Sequence, residues 1–302
     1  MKKTLKKAIL ALMTALLLVS VLAVAVADDP VTITMAMTAP WETFIPFNTT
    51  NANSDAVLEL MFDKMIIVKA DGNHQPRLAD SWEQDGLVLT FHLNENATWH
   101  DGEPVTADDV VFTMKLMANP AITHPRRSKV AFFTGTDNSG VLVEGEEFGV
   151  KALDVHTVEF DMKNPAPLSY MITQTFRDFY VLPEHLLADI PAEEIMTNDF
   201  WQHPIGSGPC IYESSISGER VEFTANKNYY LGAPEFNRFV VRVVAASNLL
   251  SGLMSGEIDI VAGAGLGNIP MNDWDMAKMQ DNLTTESVKS LGYQYMTMNV
   301  NN

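Results

Sequence analysis

Apolar and polar positions alternate in several short runs of this chain, which is the pattern of half-buried β-strands. We predict strands at 31–37, 66–69, 87–93, 157–162, 210–216, 220–225, 239–244, 258–261 and 293–300. Ser217-Gly218 lies between two of these runs and predicts a hairpin. We interpret 239–244 as an apolar strand and expect it to be buried on both faces, as in a mostly parallel sheet.

Apolar positions spaced three and four residues apart predict helices between these strands. Val57, Leu60, Met61 and Met65 follow this spacing behind Ser54, which we expect to cap their helix. The stretches 247–254 and 270–279 predict two further helices. Strands that alternate with helices in the second half of the chain indicate an α/β domain.

The first 27 residues form a segment of a different kind. A basic start (MKKTLKK) precedes an apolar run at 8–24 and a small-x-small site at 25–27, so we expect a signal peptide that is cleaved before Asp28. The alternative is an uncleaved membrane anchor, because the apolar run is nearly long enough to span a bilayer. No cysteine follows the run for a lipid anchor. We therefore expect a periplasmic protein, with a released protein as the second choice.

Composition narrows the choice of partners. The 302 residues carry a formal net charge of −18, which disfavours binding to nucleic acid and docking on an anionic membrane. Cys210 is the only cysteine, so the chain forms no intramolecular disulfide. We expect Cys210 to be a buried structural thiol, since no basic neighbour in the sequence would lower its pKa.

The stretch 97–114 (ATWHDGEPVTADDVVFTM) holds most of the candidate chemistry. Its histidine and carboxylates are His100, Asp101, Glu103, Asp108 and Asp109. A metal or catalytic site is one interpretation, but the metal-ligand spacings His-x-x-x-His and Asp-x-Asp are absent here. The other interpretation is scaffold, because Thr106 and Asp109 match a capping box at the start of a helix. That helix is expected to bury Val110, Val111, Met114 and Met117. We favour scaffold and expect no metal and no cofactor.

Five ordered blocks carry a family resemblance. They are PRLADSWE (76–83), TFHLNENATWHDGEPVTADDVVFTM (90–114), PIGSGP (204–209), NKNYYLGAPEFNRFVVRVV (226–244) and SGEIDIV (255–261). Together they closely resemble the family 5 extracellular solute-binding proteins, the peptide- and nickel-binding family of ATP-driven importers. The chain departs from the family at Cys210, where a tyrosine is usual.

The resemblance implies a fold of the periplasmic-binding-protein type II class, in which two lobes close on a ligand. It implies that 28–70 and 166–290 form a discontinuous first lobe and that 71–165 form an inserted β-rich subdomain. It also implies that 291–302 form a hinge strand that leads to a second lobe. This second lobe is absent from the sequence, so we expect the chain to be a fragment of a binding protein.

The resemblance also implies site residues. In peptide-binding members, the segment that corresponds to Thr50, Asn51, Ala52 and Asn53 pairs with the ligand backbone; the alternative for this segment is an ordinary loop. Tyr293 and Tyr295 would face the cleft from the crossing strand or pack beneath the hinge. Phe176 and Arg177 are weaker candidates for the cleft floor.

The sequence leaves three candidate functions. The first is a non-enzymatic binding protein, expected to be a monomer, that delivers a peptide or another small ligand to the permease subunits of an ABC importer. A nickel complex, haem or an oligosaccharide is an alternative ligand. The second function is a secreted hydrolase, although motifs such as Gly-x-Ser-x-Gly and His-Glu-x-x-His are absent. The third is a ligand sensor or surface interaction protein on the same fold.

Overall fold

The computed structural model describes residues 30–69, 72–263 and 266–285. The strands are β1 Thr32–Met37, β2 Ile66–Val68, β3 His74–Pro76, β4 Ala79–Asp85, β5 Val88–Leu93, β6 Val150–Asp154, β7 Thr157–Asp161, β8 Cys210–Ile216, β9 Arg220–Ala225, β10 Arg238–Val243 and β11 Ile260–Val261. The helices are α1 Ala52–Met61, α2 Ala107–Ala118, α3 Leu168–Gln174, α4 Glu184–Leu187, α5 Leu249–Ser255 and α6 Met271–Lys278. The predicted signal peptide at 1–27 and the predicted strand at 293–300 lie outside the described residues.

The larger sheet has five strands in the order β11-β1-β10-β9-β8. The pairings of β1 with β10 and with β11 are parallel, whereas β10, β9 and β8 pair antiparallel. The predicted hairpin is confirmed as β8 and β9. Gly218 in its turn has a φ of 74°, a backbone conformation that residues with a Cβ rarely adopt.

The expectation that 239–244 is buried on both faces is wrong. Phe239 and Val241 on β10 are buried, but Val240 and Arg242 on the opposite face are only half-buried. The Arg242 guanidinium bonds the exposed Glu257 carboxylate at 2.8 Å. Arg242 lies within the run on this face, and the sheet is mixed, so one side of β10 stays partly open.

The second sheet is antiparallel and has four strands in the order β4-β5-β7-β6. β5 alternates as predicted and buries Leu89, Phe91 and Leu93. The edge strands β4 and β6 escaped prediction because most of their residues are half-exposed or exposed and leave no apolar alternation. A separate antiparallel pair joins β2 to β3.

An aromatic cluster fills the core against this second sheet. Phe91 and Phe160 pack edge to face with ring centroids 5.4 Å apart, and Phe176 lies 4.6 Å from Phe91 and 5.0 Å from Phe160. All three side chains are fully buried. Burial of one phenylalanine contributes roughly 1.5–3 kcal/mol, so the cluster ties the turn at 176–178 firmly to the sheet.

The N-cap of helix α1 lies three residues earlier than predicted. Asn51, not Ser54, is the N-cap: its side-chain oxygen accepts hydrogen bonds from the backbone N–H groups of Asn53 at 2.9 Å and Ser54 at 3.1 Å. The Ser54 hydroxyl instead accepts from the N–H of Glu42 at 2.8 Å. Both residue types suit a cap, and the loop before the helix decides between them.

The capping box predicted in the stretch 97–114 is confirmed. The Asp109 carboxylate accepts from the backbone N–H of Thr106 at 2.8 Å and completes the capping box of α2. It also accepts from the N–H of Glu184 at 2.8 Å and from the indole of Trp99 at 3.3 Å. One buried carboxylate therefore holds the starts of α2 and α4 together.

His100 clamps the loop at 204–209 to this scaffold. Its Nδ1 accepts from the N–H of Gly206 at 3.2 Å, and its Nε2 donates to the carbonyl of Gly208 at 3.0 Å. Burial lowers the pKa of His100, so the neutral ring is favoured. A Cβ on Gly206 would lie 1.9 Å from the carbonyl oxygen of Met61, so this close approach requires glycine.

Candidate ligand-binding site

Three parallel strands end at the same edge of the larger sheet. The N–H of Val244, just after β10, bonds the carbonyl of Met37 at 2.9 Å. The N–H of Thr38, just after β1, bonds the carbonyl of Leu266 at 2.7 Å. In open α/β sheets, ligands bind outside the carboxyl ends of such strands. This edge is therefore the candidate site, and the loop at 38–51 is its central element.

Half-buried aromatic side chains follow this loop. Trp41 stacks on Phe44 with centroids 5.9 Å apart, and Phe44 meets Tyr212 of β8 edge to face at 5.4 Å. The exposed His203 lies 5.6 Å from Tyr212. We call these four residues the aromatic strip. Aromatic surface that stays partly open next to a polar loop offers stacking area and a hydroxyl to a ligand.

The loop is fixed to the helix that follows it. The side-chain amide of Asn53 donates to the carbonyls of Ala39 at 2.7 Å and Pro40 at 3.3 Å. The side-chain amide of Asn51 donates to the Glu42 carboxylate at 3.0 Å. These bonds hold both ends of the loop against the first turn of α1.

A buried arginine holds the end of the same loop from the other side. The Arg126 guanidinium donates to the carbonyl of Thr49 at 2.6 Å, to the Asp55 carboxylate at 2.6 Å and to the carbonyl of Asp178 at 2.8 Å. Burial raises the pKa of Asp55, and the charge of Arg126 opposes that shift. Removal of Asp55 would leave the buried charge of Arg126 without its carboxylate, which is strongly destabilising.

The family model for bacterial extracellular solute-binding proteins, family 5, matches residues 73–302. The chain belongs to this family. The predicted fold of the periplasmic-binding-protein type II class is confirmed by the solved structures that share it.

Curated relatives in this family carry transport names. A putative ABC transporter peptide-binding protein of Brucella ovis is 34% identical over 185 residues, which are 60% of this chain and 32% of that protein. The periplasmic oligopeptide-binding protein OppA of Salmonella typhimurium is 29% identical over 66% of this chain and 37% of its own length. The chain thus spans about a third of the length of these relatives.

Two solved structures illustrate the shared fold. The oligopeptide-binding protein AppA of Bacillus subtilis, in complex with a nonapeptide, matches with a TM-score of 0.71 at 21% identity, over 84% of this chain and 47% of that one. NikZ of Campylobacter jejuni, in complex with Ni(L-His), matches with a TM-score of 0.65 at 26% identity, over 83% and 45%.

Residues 50–53, which the family resemblance predicts as ligand-binding, lie at the start of α1, next to the loop that follows β1. Thr50 and Ala52 are exposed, and Asn51 between them caps the helix. Asn53, by contrast, is buried within the first turn of α1. The alternative of an ordinary loop does not hold for Ala52 and Asn53, because the Asn51 cap starts the helix at Ala52. Pairing of 50–53 with a ligand backbone stays a prediction.

Phe176 is not a floor of the cleft. It is fully buried in the aromatic cluster, so the prediction that it contacts a ligand is wrong. Arg177 is exposed and lines a cavity that also contains Arg77. Tyr293 and Tyr295 lie outside the described residues.

Sequence reasoning missed the aromatic strip. Its signal was available, because Trp41 and Phe44 stand in the polar loop directly after the first strand, where no helical or strand pattern buries them. Tyr212 had no such signal, since it lies within a strand and only the pairing of β8 brings it to Phe44.

Within the described residues, no group of three His, Cys, Asp or Glu side chains is placed to hold a metal ion. None of the helices within 30–69, 72–263 and 266–285 is long and apolar enough to cross a membrane.

Burial raises the pKa of Cys210 to about 12, which fits a structural thiol.

Proposed function

We propose that this chain is part of the substrate-binding protein of an ABC importer, that it captures an extended peptide outside the cytoplasm, in the periplasm, and that it passes the peptide to permease subunits. It catalyses no reaction in this account. Membership of the solute-binding family supports the binding role. The relatives, which include peptide-binding and oligopeptide-binding proteins, support the choice of ligand.

The observation that carries the proposal is the exposed backbone at 50–52. No hydrogen bond in the described part of the chain uses the N–H of Thr50 or of Ala52. An extended peptide can pair with such groups by strand addition, which gives affinity without selecting a sequence. Because Arg126 and Asn53 already hold the flanking residues, little ordering cost remains for the ligand to meet.

The aromatic strip supplies the second part of the proposed mechanism. Trp41 and Phe44 present partly open ring surface on the loop at 38–51, on either side of Glu42 and Thr43, and Phe44 contacts the half-buried Tyr212. The Glu42 carboxylate accepts from the side-chain amide of Asn51 and links this loop to 50–52. Ligand side chains of many kinds can pack on such rings. In the proposed mechanism, the backbone at 50–52 therefore forms hydrogen bonds with the peptide main chain, and the aromatic rings pack against peptide side chains of different kinds.

The decisive variant is Ala52→Pro. Ala52 is the first residue of α1, a position where proline fits well, and Asn51 before it has the extended backbone that proline requires (φ −78°, ψ 122°). The change removes one exposed N–H and should leave stability unaltered. We expect titration calorimetry against a mixed peptide pool to show roughly fivefold weaker binding, equivalent to about 1 kcal/mol for one hydrogen bond.

Met271→Pro is the matched control. Met271 is exposed and begins α6, which follows β11 at the sheet edge opposite β8. This control should bind as the wild type does. The proposal is wrong if Ala52→Pro and Met271→Pro bind the pool equally well, or if Ala52→Pro weakens only peptides with particular side chains.

The two other functions make different predictions in the same experiment. A hydrolase would cleave the pool, and mass spectrometry of the recovered peptides would show the fragments. A sensor or surface interaction protein would bind peptides, but deletion of its gene would leave uptake of a labelled peptide unchanged. We expect intact peptides and reduced uptake.

A further inference from the structure

A polar cavity lies beyond the far end of α1. It has a volume of about 280 Å³. The charged and hydroxyl side chains that line it are Glu59, Asp63, Lys64, Arg77, Arg177 and Tyr229. The ten residues of α1 rise by about 15 Å, so a helix length separates Asn51 at the candidate edge from Asp63 at this cavity. We call it the Arg77 cavity.

The two acidic residues of the cavity are already engaged. Lys64 donates to the Glu59 carboxylate at 2.5 Å. Asp63 is buried, and one of its oxygens accepts from the hydroxyls of Tyr229 and Tyr230, each at 2.9 Å. Each carboxylate therefore has a direct partner other than the arginines, and the nearby charge of Arg77 only partly offsets the burial that raises the pKa of Asp63.

The two arginines keep most of their donors. Arg77 donates to the hydroxyl of Tyr229 at 3.3 Å, and among the described residues no carboxylate lies within 4.0 Å of its guanidinium. Arg177 approaches Asp178 at only 3.9 Å, and Asp178 is bound more closely by Lys129 at 3.0 Å. A guanidinium has five N–H donors, so both groups can bind a further acceptor.

We propose that the Arg77 cavity binds a small anion with several oxygens, a carboxylate or a phosphate, between Arg77 and Arg177. Guanidinium groups recognise both anions through paired hydrogen bonds. The volume lies just below the range of about 300–1,000 Å³ that is typical of sites for drug-sized ligands, so a small anion fits. In a chain with a net charge of −18, two arginines without a close carboxylate partner at one cavity form a local basic site.

Calorimetry with two probes tests this site without any peptide. The protein is titrated with inorganic phosphate and, separately, with succinate, in a buffer that contains neither. We expect binding of at least one probe by the wild type and at least tenfold weaker binding by Arg77→Gln and by Arg177→Gln. Binding of phosphate alone or of succinate alone identifies the source of the anion, and either result supports the site.

Arg242→Gln is the matched control, since it removes the same charge from β10, away from the cavity. It should bind the anion as the wild type does. The unfolding midpoint of each variant shows whether it is folded. If Arg77→Gln does not fold, Arg177→Gln decides, because the Arg177 side chain is largely exposed.

Two results would overturn the proposal. One is the absence of binding heat for both probes at millimolar concentration. The other is undiminished binding by a folded Arg77→Gln or Arg177→Gln variant. Because no peptide is present, either failure leaves the proposed peptide site untouched, and a failure of the peptide site leaves this proposal untouched.

Discussion

Buried polar side chains fix the segments that surround both sites. Arg126 holds Thr49 and Asp55, Asp109 joins two helices, and Asp63 receives two tyrosine hydroxyls. The sequence shows each of these charged residues, but it does not show the hydrogen-bond partner, which lies up to 167 positions away in the case of Asp63 and Tyr230. Sequence reasoning therefore predicted the local capping box of Thr106 and Asp109 and missed the bonds that depend on tertiary pairing.

Asp63 makes stability depend on pH. Burial raises its pKa to about 6 from 3.8, so the folded protein holds this proton more tightly than the unfolded chain. The resulting stabilisation is complete below pH 3.8 and is lost as the pH rises through about 6. It is on the order of 3 kcal/mol by linkage. We expect Asp63→Asn to flatten the pH dependence of the urea midpoint between pH 4 and 7. The measurement is the urea midpoint of the wild type and of the variant across this pH range.

Parallel curves for the wild type and Asp63→Asn would contradict this prediction. Asp80→Asn is a suitable control, because Asp80 is exposed on β4. Its curve should keep the wild-type shape.

His100 contributes stability and should contribute no affinity. Its two ring bonds hold Gly206 and Gly208, so His100→Ala should lower the free energy of unfolding by about 2 kcal/mol. Its pKa is lowered, so the wild type should lose stability as the pH falls below about 6.5, the pKa of the unfolded side chain. Chemical denaturation and peptide calorimetry of the variant check both statements. Weaker peptide binding with unchanged stability would count against the scaffold role.

At the scale of elements, periodicity predicted the strands of the core and failed at the two edges of the four-stranded sheet. β1, β5 and β7 and the β8–β9 hairpin follow their apolar patterns, and α5 and α6 lie close to the predicted stretches. The edge strands β4 and β6 carry few buried residues, so their sequences hold no signal of period two. The parallel and antiparallel pairings of β10 also depend on neighbours that local sequence does not specify.

The cap of α2 is the element that a single substitution tests best. Thr106→Ala removes one side of the capping box and should lower the free energy of unfolding by about 1 kcal/mol. Asp109 should remain in place through its bond to Glu184. Peptide affinity should not change. Urea denaturation of the variant tests the predicted loss of stability, and calorimetry tests the unchanged peptide affinity. A loss of affinity at full stability would contradict the structural role of Thr106.

At the scale of the molecule, the division into a lobe at 28–70 and 166–290 and a subdomain at 71–165 stays a prediction. The two sheets support it, because the five-stranded sheet takes its strands from 32–37 and 210–261 and the four-stranded sheet from 79–161. The family was predicted from five ordered blocks and is confirmed by the family model. The candidate site was predicted less well, since the contact between Tyr212 of β8 and Phe44 of the loop depends on the tertiary fold.

The most direct test of the account is hydrogen–deuterium exchange with and without a mixed peptide pool. Extended peptides that pair with the backbone at 50–52 should slow exchange of amides across 38–55 and leave 59–77, around the Arg77 cavity, unchanged. A complex formed by strand addition has this signature because its hydrogen bonds involve main-chain N–H groups. Peptide binding that protects 59–77 and leaves 38–55 at its free rate would contradict the central claim.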